Sequence, residues 1–216
     1  TTTLFRSLLG IDLVSRTFDG GFPTEASFSA SISNDGRYVA FSSPAPFLVA
    51  GQANEGNAYE IYVRDVLAGT NIQITDASTV PDALGFGFSD APSIAGDATW
   101  VAFETDLQLD PRDTNIYLDV YAKNWVTGET IWVSEYGNHD SWGASISADG
   151  RYVAFTTSAT NFDGDTNGLK DVYRRDLQTN EILLVSVYVT PDHLEVLGNN
   201  HSSNAKIGRA SCRERV

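Results

Sequence analysis

Three stretches of the chain align with one another without a gap: Ser31-Ile-Ser-Asn-Asp-Gly-Arg-Tyr-Val-Ala-Phe41, Ser93-Ile-Ala-Gly-Asp-Ala-Thr-Trp-Val-Ala-Phe103 and Ser145-Ile-Ser-Ala-Asp-Gly-Arg-Tyr-Val-Ala-Phe155. A second motif follows each one, as Glu60-Ile-Tyr-Val-Arg-Asp65, Asp119-Val-Tyr-Ala-Lys-Asn124 and Asp171-Val-Tyr-Arg-Arg-Asp176. A third closes each unit, as Ile72-Gln-Ile-Thr75, Ile131-Trp-Val-Ser134 and Leu183-Leu-Val-Ser186. Ile61 to Thr75, Val120 to Ser134 and Val172 to Ser186 are each 14 residues apart, whereas Phe41 to Phe103 is 62 and Phe103 to Phe155 is 52. Fixed spacing within pieces and variable spacing between them is the behaviour of strands joined by loops. Such a chain folds as a repeated supersecondary unit.

Each piece predicts a β-hairpin. Short runs of Val, Ile, Tyr, Phe and Trp are bounded by Gly, Asn and Asp. Asp35-Gly36 and Asp149-Gly150 mark the first turn of units one and three. Ala68-Gly69, Thr127-Gly128 and Thr179-Asn180 mark the second turn of the three units. In unit two Ala98 stands where the first turn has glycine, and Trp100 where it has tyrosine, so the type of that turn is left open. Val-Ala-Phe within a strand is apolar on both faces, which fits a strand covered on both sides. No stretch carries a helical period over 12 residues. Two hairpins per unit give four antiparallel strands. A four-stranded unit covered on both faces and repeated every 50–60 residues fits a β-propeller blade.

The ordered set Ser-x-Ser-x-Asp-Gly-Arg-Tyr-Val-Ala-Phe, Asp-Thr-Asn and Asp-Val-Tyr-x-Arg-Asp-Leu resembles the TolB-like, WD-repeat-like propeller repeat over residues 25–205. The expected fold is all-β: three complete blades near residues 27–77, 89–136 and 141–188, with partial blades at both ends, in one segment over 1–205. Ile11-Asp12-Leu13-Val14-Ser15 resembles the last strand of a preceding blade. Gly198-Asn199-Asn200-His201 resembles Gly137-Asn138-His139-Asp140, which precedes a first strand. The resemblance implies a ring of six blades, so the expectation here is an open arc with apolar faces bare at its end blades. The chain has no methionine, which fits either a removed start or an internal piece of a longer protein.

The decapeptide Ile207-Gly-Arg-Ala-Ser-Cys-Arg-Glu-Arg-Val216 resembles the in-frame translation of a common sequencing adapter, and Lys206 meets the codon constraint that the adapter imposes on the preceding residue. Residues 206–216 are therefore read as a non-native tail and set aside. They hold four of the 14 Lys and Arg, one of the 28 Asp and Glu, and Cys212, the sole cysteine. What is left has 10 basic and 27 acidic residues, and no thiol or disulfide chemistry. Such acidity opposes nucleic acid as a partner, because phosphates attract Lys and Arg. No apolar run reaches the ~18–20 residues of a membrane helix.

Several constellations could carry chemistry. Asp163, Asp165 and Asn167 occupy positions 1, 3 and 5 of a calcium-loop pattern with Gly168 at 6 and Asp171 at 9, but Arg174 falls where a bidentate Glu is needed. A looser calcium site and an Asx-rich turn both remain open. Unit two repeats the pattern as Asp113, Asn115 and Asp119, and recurrence favours a structural role. Gly87-Phe-Ser-Asp-Ala91 nearly matches a hydrolase elbow, but a strand follows where a helix is required. His139, His193 and His201 lack metal-ligand spacing. Ser-x-Asp-Gly departs from the sialidase Asp-box in the place of its glycine. Trp125, Trp132 and Trp142 are expected in packing between blades, with a sugar-binding rim as the other reading. No cofactor beyond the candidate calcium is expected.

The expected function is that of a non-catalytic scaffold for protein or ligand binding. The resemblance implies a larger bacterial protein, periplasmic or extracellular, that meets a protein partner. The alternative is an accessory propeller that gates a prolyl-oligopeptidase-like serine hydrolase whose catalytic domain lies outside this chain.

Overall fold

A computed structural model describes residues 12–51, 54, 58–80, 86–163, 165, 168–189 and 195–197. The three repeats form three four-stranded antiparallel sheets, each paired in chain order. The first holds β1 (Phe28–Ile32), β2 (Tyr38–Ser43), β3 (Glu60–Asp65) and β4 (Thr70–Gln73). The second holds β5 (Ser89–Ile94), β6 (Trp100–Thr105), β7 (Asp119–Asn124) and β8 (Thr130–Trp132). The third holds β9 (Ser141–Ile146), β10 (Tyr152–Thr157), β11 (Asp171–Asp176) and β12 (Ile182–Leu184). A two-stranded ribbon, β13 (Val187–Val189) with β14 (Glu195–Leu197), follows. A 3-10 turn at Ala77–Thr79 is the one helical element among the described residues.

Equivalent residues pair in equivalent registers: Phe41 with Tyr62, Phe103 with Tyr121 and Phe155 with Tyr173. Each first strand also bulges at the same point, where Ser29, Ala91 and Gly143 all take positive φ (54°, 49° and 66°). A bulge adds one residue and sharpens the local twist. The turn left open in blade two is the same turn as in the others. Ala98 sits at φ 61° beside 73° for Gly36 and 71° for Gly150, and the amide of each donates to the carbonyl three residues earlier. Alanine is held there because its methyl is buried in the core between blades one and two.

The sheets pack face to face. Ala40, Ile61, Val63 and Ile74 of blade one meet Val101, Phe103, Tyr121 and Trp132 of blade two. Ala102, Val120, Ala122 and Val133 of blade two meet Val153, Phe155 and Tyr173 of blade three. The shared alanines of β2 and β6 are fully buried at these seams. The first strands are mutual neighbours, and the fourth strands make no comparable contact, so the sheets fan out from one edge. One hydrogen bond recurs across both seams: the Ile94 amide donates to Ser31 Oγ, and the Ile146 amide to Ser93 Oγ, each at 3.1 Å.

The two ends of the fan differ. Residues 12–22 form no strand, yet Val14 packs on Phe41, Leu48 and Tyr62, the place that Ile74 and Val133 fill on the next two blades. On blade three the equivalent Val185 is 48% exposed, against 1% and 0% for Ile74 and Val133. The expected bare apolar face is therefore present on the trailing side of blade three. Residues 198–201 and the tail 206–216 lie outside the described residues.

Candidate functional site

The spacing of 14 has a chemical cause. The residue that opens the third strand of each blade is a buried carboxylate, and the hydroxyl near the end of the fourth strand donates to it. Thr75 donates to Glu60, Ser134 to Asp119 and Ser186 to Asp171. The same hydroxyl accepts the amide of the residue after the carboxylate, Ile61, Val120 or Val172, at 2.9, 2.9 and 3.2 Å. This latch ties the outer strand to the sheet. Asp171, proposed from the sequence as a calcium ligand, is thus the latch of blade three.

Blade two shows what the rest of the acidic loop does. Asp113 Oδ2 accepts the Tyr121 hydroxyl at 2.6 Å, Asn115 Oδ1 accepts the Tyr117 amide at 2.6 Å, and Asn115 Nδ2 donates to Asp119 Oδ2 at 3.0 Å. Burial raises both Asp113 and Asp119, the latter to about 6. In blade three Asp165 Oδ1 accepts the Gly168 amide at 3.0 Å, and Asp163 lies on the exposed turn before it. Asn167 lies outside the described residues. Among the described residues no three His, Cys, Asp or Glu side chains gather in a metal-binding group.

Ser89, in the near-match to a hydrolase elbow, is fully buried at the start of β5, and its hydroxyl is 2.8 Å from Thr105 Oγ1. No nucleophile is presented there. His139 stacks on Tyr117 at 5.1 Å, and His193 and His201 lie outside the described residues. Trp132 is buried between blades one and two. Trp125 bridges the same two blades, with its ring 5.5 Å from Tyr38 and its Nε1 donating to the Ala98 carbonyl. Trp142 stands apart from both, at the start of β9 under the Lys170 ammonium, 4.9 Å away.

The topology sorts the loops. Tight turns at 33–37, 66–69, 95–99, 125–129, 147–151 and 177–181 all fall at one end of the sheets. The connections at 44–59, 74–88, 106–118, 133–140 and 158–170 fall at the other. Phe28 and Phe86 are exposed at this long-loop end, and the aliphatics Val66, Leu67 and Val126 at the opposite turns. Exposed Phe47 and Tyr136 lie instead along the outer sides of their blades: Asn71 Nδ2, beside the tight turn of blade one, donates to the Leu48 carbonyl at 2.8 Å, and Tyr136 shares a cleft with Asn180 of the turn at 177–181. Phe18 and Phe22 are exposed before blade one. Phe86 is 98% exposed, yet its loop is anchored. The Asp106 carboxylate accepts the amides of Phe86 and Phe88, both at 2.7 Å. Phe28, Tyr59 and Phe88 form a run of rings beside it, at 6.1 and 5.7 Å. Sequence reading did not single out these aromatics, because an exposed ring and a core ring look alike until the loop end is known.

No known family model matches the chain, and no curated protein resembles it in sequence. Solved structures do. A putative TolB from Agrobacterium tumefaciens superposes with a TM-score of 0.50 at 14% identity, over 83% of this chain and 53% of that one. The chain has the TolB-like β-propeller fold. TolB from Acinetobacter baumannii is also similar (TM-score 0.48, 18% identity, 78% of this chain and 36% of that one), as is a prolyl endopeptidase (0.43, 18%, 74% and 22%). The chain spans about half the length of the first of these structures and about a third of the second. Likeness at such identity is likeness of fold. Among the described residues the three four-stranded sheets do not close on one another and form an open arc of that fold.

Proposed function

We propose that the chain is a non-catalytic propeller scaffold that holds a protein partner on its long-loop end, within a larger periplasmic or extracellular bacterial protein. The observation that carries this reading is Phe86, 98% exposed at that end on a loop that the Asp106 carboxylate anchors, with the rings of Phe28, Tyr59 and Phe88 beside it. Aromatic side chains supply large contact area at low entropic cost. Loops on a rigid sheet framework are where binding residues collect. No helix among the described residues is long and apolar enough to cross a membrane.

The test is cross-linking in an envelope extract with three proteins: wild type, Phe86→Asp, and Leu67→Asp at the opposite end. The expected result is a discrete cross-linked species lost only in Phe86→Asp. Loss in Leu67→Asp, with Phe86→Asp unchanged, would place the working face at the tight turns and overturn the proposal. The gating alternative predicts that the intact gene encodes an α/β domain with Gly-x-Ser-x-Gly beside these blades. The calcium proposal for Asp163, Asp165, Asn167 and Asp171 predicts a thermal midpoint raised by millimolar calcium in wild type and not in Asp165→Asn.

A further inference from the structure

A cleft of about 330 Å³ opens at the outer side of the seam between blades two and three. Glu135 and Tyr136 form one wall, Asn161, Phe162 and Asp163 another, and Asn180 and Ile182, at the tight turn of blade three, close it. The repeat does not explain it. The positions equivalent to Glu135 and Tyr136 in blade one are Asp76 and Ala77, which run into the 3-10 turn. Tyr136 instead takes φ 63°, its carbonyl held by Asn161 Nδ2 at 2.8 Å, and the residue stays 59% exposed. A tyrosine in the left-handed region carries backbone strain, a feature that collects at binding sites. The ring is steadied by Trp132 at 5.5 Å and by the Arg112 guanidinium at 5.8 Å.

The charges leave a remainder. Glu135 binds Arg112 through Oε1 and Arg175 through Oε2, and Arg112 also grips Asp110. Asp163 makes no hydrogen bond or ion pair among the described residues. Of the two carboxylates that line the cleft, Glu135 is met by two guanidiniums and Asp163 by none among the described residues. The cleft combines an aromatic face, apolar walls from Phe162 and Ile182, and one carboxylate without a partner. That is the complement of a long cationic side chain, whose methylene stem lies on apolar surface while its charge meets the carboxylate and the ring. The chain's formal charge of −14 would steer a basic partner toward it.

We propose that this cleft seats a lysine or arginine side chain of the protein partner. The proposal rests on the scaffold reading and names the chemistry of one contact. The test is an NMR titration of the full chain at low salt with acetyl-Gly-Arg-Gly-amide and acetyl-Gly-Lys-Gly-amide. Asp163→Asn and Tyr136→Ala are each expected to weaken binding about five-fold or more. Tyr136→Phe should retain it, and so should Glu129→Gln at the tight-turn end. Three results would overturn the proposal: no binding to wild type, equal weakening by Glu129→Gln, which signals general attraction to an acidic surface, or dependence on a divalent metal removed by chelator. If the cross-linked partner survives Asp163→Asn but is lost in Phe86→Asp, the cleft assignment fails and the scaffold reading stands. If the peptides bind as expected and no partner is cross-linked, the reverse holds.

Discussion

Asp119 opens the third strand of blade two as a buried carboxylate whose burial raises it to about 6, partly offset by the hydroxyl of Ser134. A carboxyl raised on folding holds its proton in the native state over a range where the unfolded chain has lost it. Stability from this group therefore rises as pH falls through about 6 toward 4. Burial pushes Glu60, Glu104 and Asp113 in the same direction. Asp65 and Asp176 behave oppositely, because Arg37 and Arg151 hold them near 2. Their contribution is present above about pH 4 and is lost as pH falls toward 2. Thermal midpoints should climb from pH 7 to about 5 and drop below about 4. In Asp119→Asn the climb should be shallower, and an unchanged slope would mean that this carboxyl does not carry it. At Gly96, an added Cβ would stand 2.3 Å from Asn34 Nδ2 and 2.9 Å from the Ala148 carbonyl, one on each neighbouring blade. Gly96→Ala should cost about 1–3 kcal/mol by urea denaturation. Gly128→Ala, at φ 82° in open space, should cost about 1 kcal/mol from backbone conformation alone.

At the scale of elements, the strands and their order were legible because each motif keeps its spacing while the loops change length. The reason for the 14-residue interval, a hydroxyl reaching back to the carboxylate that opens the third strand, was not, since Thr75 and Glu60 become neighbours only after the hairpin closes. The bulges were hidden too. Glycine signals left-handed backbone in sequence, but only Gly143 among the three equivalent bulge residues is glycine, while Ser29 and Ala91 take the same conformation. Ala98 left its turn type open for the same reason, since burial of its methyl offsets the turn strain. Ala91→Gly should therefore be tolerated, with a gain of about 0.5 kcal/mol in stability, and a loss above about 1 kcal/mol would show that its methyl matters to the seam. The candidate site was the least legible part. Asp163 was visible as a calcium-type ligand, but its neighbours Tyr136 and Glu135 come from the preceding blade, and sequence repeats do not reveal which unshared residues meet across a seam.

At the scale of the molecule, stability in a stacked array is a sum of unit and nearest-neighbour terms. Two seams are complete here, and each buries the same positions of successive blades. The trailing side of blade three has no such neighbour among the described residues, so Leu183 and Val185 stay exposed there. The same side chain thus sits in two environments in one molecule: Val133 at a closed seam and Val185 at an open one. The most direct measurement is urea denaturation of Val133→Ala and Val185→Ala beside wild type. The arc predicts a loss of about 2 kcal/mol for Val133→Ala and less than about 0.5 kcal/mol for Val185→Ala. Equal losses at the two positions would contradict the arrangement of three blades with one open flank.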